Sequence, residues 1–174
     1  MEIKVPKFSL IVLIGPSGSG KSTFAKKHFL PTEVVSSDLC RAMVCDDENN
    51  QQATPAAFKV LMLIARKRLS MGRLTVIDAT NVQPEARLPL LDLARTYKCI
   101  PVALVFDLPL DSLEKRRQAR SDRQIPPHVL YRQKEQMDIA IGALAGEGFR
   151  LVFRLDSEEA ANSARILRMS LNYF

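Results

Sequence analysis

Residues 15–22 read Gly15-Pro16-Ser17-Gly18-Ser19-Gly20-Lys21-Ser22, which fits the pattern G-x-x-x-x-G-K-[ST], and they follow directly on the apolar run of residues 8–14. No other feature constrains the chain as much, because this pattern works only between a strand and a helix. Glycines at 15, 18 and 20 let the backbone turn tightly, so that successive N–H groups point inward and form an anion nest closed by a helix N-terminus. Lys21 is placed to reach the β- and γ-phosphates of a nucleoside triphosphate, ATP or another, and Ser22 to hold Mg²⁺. The expected nucleotide-binding residues are therefore Gly15, Ser17, Gly18, Ser19, Gly20, Lys21, Ser22 and Thr23. A flexible Gly/Ser turn would explain the glycines but not the adjoining lysine and hydroxyl.

The flanks agree. Residues 10–14 are continuously apolar, as in a strand buried on both faces of a parallel sheet. Residues 23–29 read as a short amphipathic helix ending before Pro31. Residues 33–36 form a short second strand delivering Ser37 and Asp38, and Thr54-Pro55 opens a helix that runs to about residue 71 and stops at Gly72. Residues 74–78 are a third strand ending in Asp78, residues 84–97 a helix with Pro89 disturbing its first turn, and residues 100–106 a fourth strand. A basic helix over 113–120 runs into a polar loop over 121–127, followed by a long helix over 127–144 that Gly146 and Gly148 close. Residues 149–155 are a fifth strand, and Asp156 with Glu159 opens a last helix reaching about Arg168. Strands alternating with helices imply an α/β fold of the P-loop NTPase kind, with a central parallel sheet of about five strands, helices on both faces and ligands at the strands' carboxyl ends.

A length of 174 residues suits one domain, and 47% hydrophobic with 25% charged residues is an ordinary soluble composition. No apolar run approaches membrane-spanning length and the first residues lack a signal peptide's hydrophobic stretch, so a cytoplasmic location and no membrane partner are expected. Cys40, Cys45 and Cys99 have neither the number nor the spacing of a disulfide framework or zinc site, and His28 and His128 are too few for a His-rich metal centre. The net charge of +6 suits either a binder of nucleotides alone or one that also takes a polyanion.

Three further groups carry chemistry. Asp38 and Arg41 stand three positions apart on the opening turn of a helix and so face one side, a carboxylate able to accept a proton beside a guanidinium able to grip a phosphate. An N-cap aspartate with a surface arginine is the bland alternative. Asp78 closes an apolar strand, either near Mg²⁺ or orienting Arg41 from the neighbouring strand end. Arg116, Arg120 and Arg123 recur at i, i+4 and i+7, a row of guanidinium groups leading into a breakable loop; as an arginine-bearing lid it would put positive charge over a migrating phosphoryl group and exclude water, and as a solvated face it would do neither.

In one register, Gly15 to Ser22 with Thr23-Phe24-Ala25, Ser36-Ser37-Asp38 with Arg41, Asp46-Asp47-Glu48, Asp78-Ala79-Thr80-Asn81 and Arg116-x-x-x-Arg120-x-Asp122-Arg123-Gln124 resemble the N-terminal 5′-kinase domain of the bacterial polynucleotide kinase-phosphatases, which heal RNA ends. The resemblance runs from about Ile3 into the last strand, and Pro16 departs from the small flexible residue that would serve in the loop. It implies catalytic roles for Lys21, Asp38, Arg41 and Arg116: Asp38 as general base toward a 5′-OH of RNA or DNA, Arg41 on the acceptor's terminal phosphate, and Lys21 with Arg116 on the donor phosphates. Ser22 would hold the metal, and Arg120 with Arg123 would form the lid. In such proteins phosphatase and ligase-like modules follow in the same chain and a repair methyltransferase is a partner; 174 residues hold the kinase alone, so this is an excised module or a free-standing kinase. A small-molecule kinase acting on a sugar or nucleoside is the rival reading. A guanine-specific switch is disfavoured because no Asn-Lys-x-Asp motif is present.

Overall fold

The structure, a computed structural model, describes residues 1–119 and 125–170. The elements follow as β1 (Glu2–Pro6), β2 (Ser9–Ile14), α1 (Lys21–His28), β3 (Val34–Ser36), α2 (Ser37–Cys45), α3 (Thr54–Ser70), β4 (Thr75–Asp78), α4 (Pro84–Tyr97), β5 (Ile100–Phe106), α5 (Leu110–Ala119), α6 (Pro127–Glu147), β6 (Leu151–Leu155), α7 (Glu158–Ser163) and β7 (Arg165–Met169). The five expected strands form one sheet in the order β3-β4-β2-β5-β6, and every neighbouring pair is parallel.

Strand β2 lies at the centre and is buried along its whole length. Its alternate side chains enter two cores. Leu10, Val12 and Ile14 join Leu61 of α3, Leu90 of α4 and Met137 of α6, whereas Ile11 and Leu13 join Phe24 and Phe29 beside α1. Each such side chain contributes about 1.5–3 kcal/mol. An apolar run without polar alternation is thus the expected signature of a strand covered on both faces.

The chain's two ends differ from the sequence reading. A last helix to about Arg168 does not form: α7 stops at Ser163, and β7 pairs in parallel with β1, which was read as no element at all. The cause is long-range. Ile3 and Val5 are fully buried between exposed Glu2 and Lys4, while the guanidinium of Arg168 donates to both carboxylate oxygens of Glu33, each at 2.7 Å. The cap of α7 is also Ser157 rather than Asp156, its Oγ accepting from the Ala160 N–H at 3.1 Å.

Other boundaries shift by a turn or less. Helix α1 starts at Lys21 rather than Thr23, α5 starts at Leu110, and α6 runs through Gly146 to end at Gly148, whose φ of 117° terminates it. Pro89 sits inside α4 without breaking it; the carbonyl it leaves unpaired is that of Glu85, which is exposed to water.

Beyond β5 the buried carboxylate of Asp107, paired with two more exposed cations, ties strands to α6. Asp107 accepts from Lys134 Nζ at 2.9 Å and from Arg154 Nε at 2.8 Å. Burial pushes the Asp107 carboxyl upward, but the hydrogen bonds and charges of Lys134 and Arg154 overcome this and hold it below the ordinary 3.8. Its stabilising contribution is therefore complete above that ordinary value and is lost as pH falls through the lower, folded-state value. Asp107→Asn should cost about 1–3 kcal/mol near neutral pH, and the gap to wild type should close below about pH 4 in urea titrations. Gly15 makes a second rigid contact: a Cβ there would lie 2.8 Å from the Phe106 carbonyl oxygen and 2.9 Å from Ser19 Oγ. Gly15→Ala should lower stability by about 1–3 kcal/mol and nucleotide affinity at least about tenfold, read by thermal melts with and without ATP.

Candidate active site

The loop after β2 is shaped by two left-handed glycines. Gly18 has φ 82° and lies in a turn in which the Ser19 N–H donates to the Pro16 carbonyl at 3.2 Å, while Gly20, φ 95°, caps α1. Both angles are ones that a Cβ disfavours. The loop's base is held by the Gly15 N–H donating to the Thr80 carbonyl at 2.9 Å. Lys21 is 7% exposed and its Nζ donates to the carbonyls of Gly15 and Pro16, each at 2.8 Å, and to Ser19 Oγ at 3.3 Å. Ser22 and Thr23 are exposed on the first turn of α1, where helix N–H groups favour anions.

The loop opens on a cavity of about 380 Å³ lined by Gly18, Gly20, Lys21, Ser22, Thr23 and Arg116. Arg116 reaches it from α5. Its Nη1 donates to the Gly18 carbonyl at 3.3 Å and its Nε to Glu158 of α7 at 2.9 Å. Glu158 was not foreseen; in sequence it is one more acidic residue at a helix start, and only folding brings it 42 positions back to Arg116. Arg120 and Arg123, expected to extend this basic row into a lid, lie outside the described residues.

Asp38 and Arg41 meet as their spacing requires. Ser36 caps α2, accepting from the Leu39 N–H at 3.4 Å, so Asp38 is not the cap and its carboxylate pairs with Arg41 Nη2. The pair is asymmetric: the Arg41 side chain is 5% exposed and that of Asp38 40%. Arg41 also donates through Nε to the Glu48 carbonyl at 2.7 Å. The result is a buried, anchored guanidinium beside a solvent-reachable carboxylate.

Two further hollows converge on these residues. One of about 190 Å³ is bounded by Lys21, Ser22, Asp38, Arg41, Thr80 and Gln133; the other, about 620 Å³, extends past Lys26, Phe29, Pro31 and Leu39. Ser22, Asp38 and Asp78 line both. A hydroxyl and two carboxylates are hard oxygen donors of the kind Mg²⁺ takes while keeping several waters. Among the described residues no cluster of three or more His, Cys, Asp or Glu could hold a metal by itself. Cys40 and Cys99 offer no nucleophile: burial raises the Cys40 thiol and pushes Cys99 up to about 11. Among the described residues no helix is long and apolar enough to cross a membrane.

Gln133 is the other contributor that sequence reasoning missed. It comes from α6 and accepts the Ser17 N–H through Oε1 at 2.8 Å. A glutamine on an amphipathic helix carries no sequence signal for this.

Among solved structures, a chain of the Pnkp1/Rnl/Hen1 RNA repair complex is 27% identical with a TM-score of 0.67, the match covering 80% of this chain and 46% of that one. The protein thus spans about half of that chain. A sugar kinase from Janibacter sp. is 21% identical (TM-score 0.57; 85% and 84% covered), and shikimate kinase from Acinetobacter baumannii 16% identical (TM-score 0.54; 89% and 88% covered), which shows a shared fold. No curated protein matches the sequence. Residues 10–139, from the central strand through most of α6, match the AAA domain family, and the chain belongs to that family as a kinase-like member of the P-loop superfamily.

Proposed function

We propose that the protein is a polynucleotide 5′-hydroxyl kinase, transferring the γ-phosphoryl group of ATP or another nucleoside triphosphate to the 5′-OH end of RNA or DNA in nucleic-acid repair. The observation that carries this reading is the Asp38–Arg41 pair beside the phosphate loop. An exposed carboxylate suits proton abstraction from a hydroxyl, and a buried, pre-oriented guanidinium suits the phosphate next to that hydroxyl in a polynucleotide. The likeness to a chain of an RNA repair complex supports it.

In this reading the loop N–H groups and Lys21 hold the donor's β- and γ-phosphates, and Arg116, 3.3 Å from the Gly18 carbonyl, supplies charge to the group in transit. Asp38 takes the proton of the attacking hydroxyl while Arg41 fixes the acceptor. Ser22, with Asp78 on the same wall, would hold Mg²⁺, which neutralises phosphate charge when bound. The larger hollow, with an apolar side at Phe29, Pro31 and Leu39 and a cation at Lys26, suits a base and its phosphate. By the resemblance, Arg120 and Arg123 would add positive charge over the donor phosphates. In this reading the protein is a kinase domain in the cytoplasm, with phosphatase and ligase-like modules in the same chain and a repair methyltransferase as partner.

The second reading, a small-molecule kinase, is favoured by the sugar and shikimate kinases that share the fold, and by the small volume of the hollow at Arg41, about 190 Å³. Transfer of labelled phosphate from ATP to 5′-OH RNA, 5′-OH DNA, nucleosides and sugars separates the two. Oligonucleotides should be labelled and free sugars not. Asp38→Ala should lower transfer by about 10²–10⁴-fold with ATP binding retained. Full activity in that variant removes Asp38 as the base, and labelling of sugars alone replaces the polynucleotide reading.

A further inference from the structure

We infer that Gln133 is a positioning residue for phosphoryl transfer, acting through the Ser17 N–H. This rests on the kinase reading and adds to it a residue on α6. The corners that turn a phosphate loop's N–H groups toward an anion are left-handed, here Gly18 and Gly20. Ser17 precedes both corners, and its N–H donates instead to Gln133 Oε1 at 2.8 Å, across 116 positions of sequence. A backbone donor accepts no other assignment of the amide than oxygen toward Ser17. One side-chain bond therefore fixes where the loop's first corner stands relative to α6.

The glutamine is itself held. Its neighbour Lys134 is anchored to Asp107 at 2.9 Å, and Asp107 is tied to Arg154 of β6, so this turn of α6 is pinned to the sheet's carboxyl end. Gln133 also borders the hollow that contains Lys21, Asp38 and Arg41. It thus stands on the wall between the donor's phosphates and the proposed base. A small displacement of the loop there misaligns donor and acceptor without removing a single phosphate contact, and misplacements of about 1 Å cost up to about a hundredfold in rate.

A test follows from the turn. The Ser19 N–H donates to the Pro16 carbonyl and Gly18 has φ 82°, the pattern of a type II turn with Ser17 at its first corner, where proline is favoured. Ser17→Pro thus deletes the N–H while suiting the turn. Wild type, Gln133→Leu, Ser17→Pro and the double variant are compared in steady-state transfer. Gln133→Leu should lower kcat about tenfold with KM for ATP changed less than about threefold, Ser17→Pro should do the same, and the double variant should be no slower than the slower single. Costs that multiply in the double variant, or a Gln133→Leu effect confined to KM, overturn the inference. Independently of turnover, amide exchange at Ser17 should speed up about tenfold or more in Gln133→Leu, and unchanged exchange overturns it as well. A wild type that phosphorylates none of the acceptors brings down the kinase reading instead, and the Ser17 exchange still decides the contact.

Discussion

The site depends on the way the turn after β4 is locked into the turn after β2. The Gly15 N–H donates to the Thr80 carbonyl at 2.9 Å, and Asn81 Nδ2 returns a bond to the Leu13 carbonyl at 2.8 Å. To do so Asn81 adopts φ 50°, a conformation that asparagine tolerates better than most residues, and buries an Oδ1 with no hydrogen-bond partner among the described residues. Leaving an acceptor unpaired costs about 1–3 kcal/mol, but an apolar replacement would lose the Leu13 bond and fit the left-handed backbone less well. The Asn81 carbonyl in turn accepts from Arg87, fully buried, which makes a two-point ion pair with Glu147 at the end of α6. Strand end, turn, α4 and α6 are therefore one hydrogen-bonded unit under the phosphate loop.

Within a protein of net charge +6, each buried cation is held by its own set of acceptors. Lys21 is solvated by loop carbonyls, Arg41 pairs with Asp38 and the Glu48 carbonyl, and Arg87 pairs with Glu147. Removing one partner of such a pair strands a charge, which costs far more than the pair itself contributes. The cations at the loop are held by groups that an incoming phosphate can outcompete, carbonyl oxygens and the half-exposed Glu158, whereas Arg87 has a partner it cannot exchange.

The legible part of the sequence was the part governed by short range. Residues 15–22 announced strand, nest and helix together because each requires the next, and the three-residue spacing of Asp38 and Arg41 is set by one helical turn. The central strands β2 and β5 were legible from their apolar runs, and the shorter β3, β4 and β6 from their place between helices. Partners joined only by folding were not: β1 with β7, Glu158 with Arg116, and Gln133 with Ser17. Ile3 and Val5 did alternate with polar residues, but a five-residue strand shows its pairing only when residues 165–169 arrive beside it. The helix expected over those residues failed for the same reason, since an amphipathic pattern of that length suits either period.

Strand order accounts for the spacing of the proposed chemistry. The chain leaves β2 to lay down β3 at the far edge and only then inserts β4 between them, so β2 and β3 are separated by two inter-strand steps of about 4.8 Å. The phosphate loop follows β2 and Asp38 follows β3, which opens a gap of roughly 10 Å across the strand ends. That is room for a terminal phosphoryl group and an attacking oxygen in line between them. Strand β4 supplies the floor and ends in Asp78, whose register against Leu13 on one side and Ser36 on the other leaves it level with both neighbours. A continuous sequential order would have put Asp38 beside the loop, with no space for an acceptor. The inserted strand is what sets the distance between the phosphate loop and the proposed base.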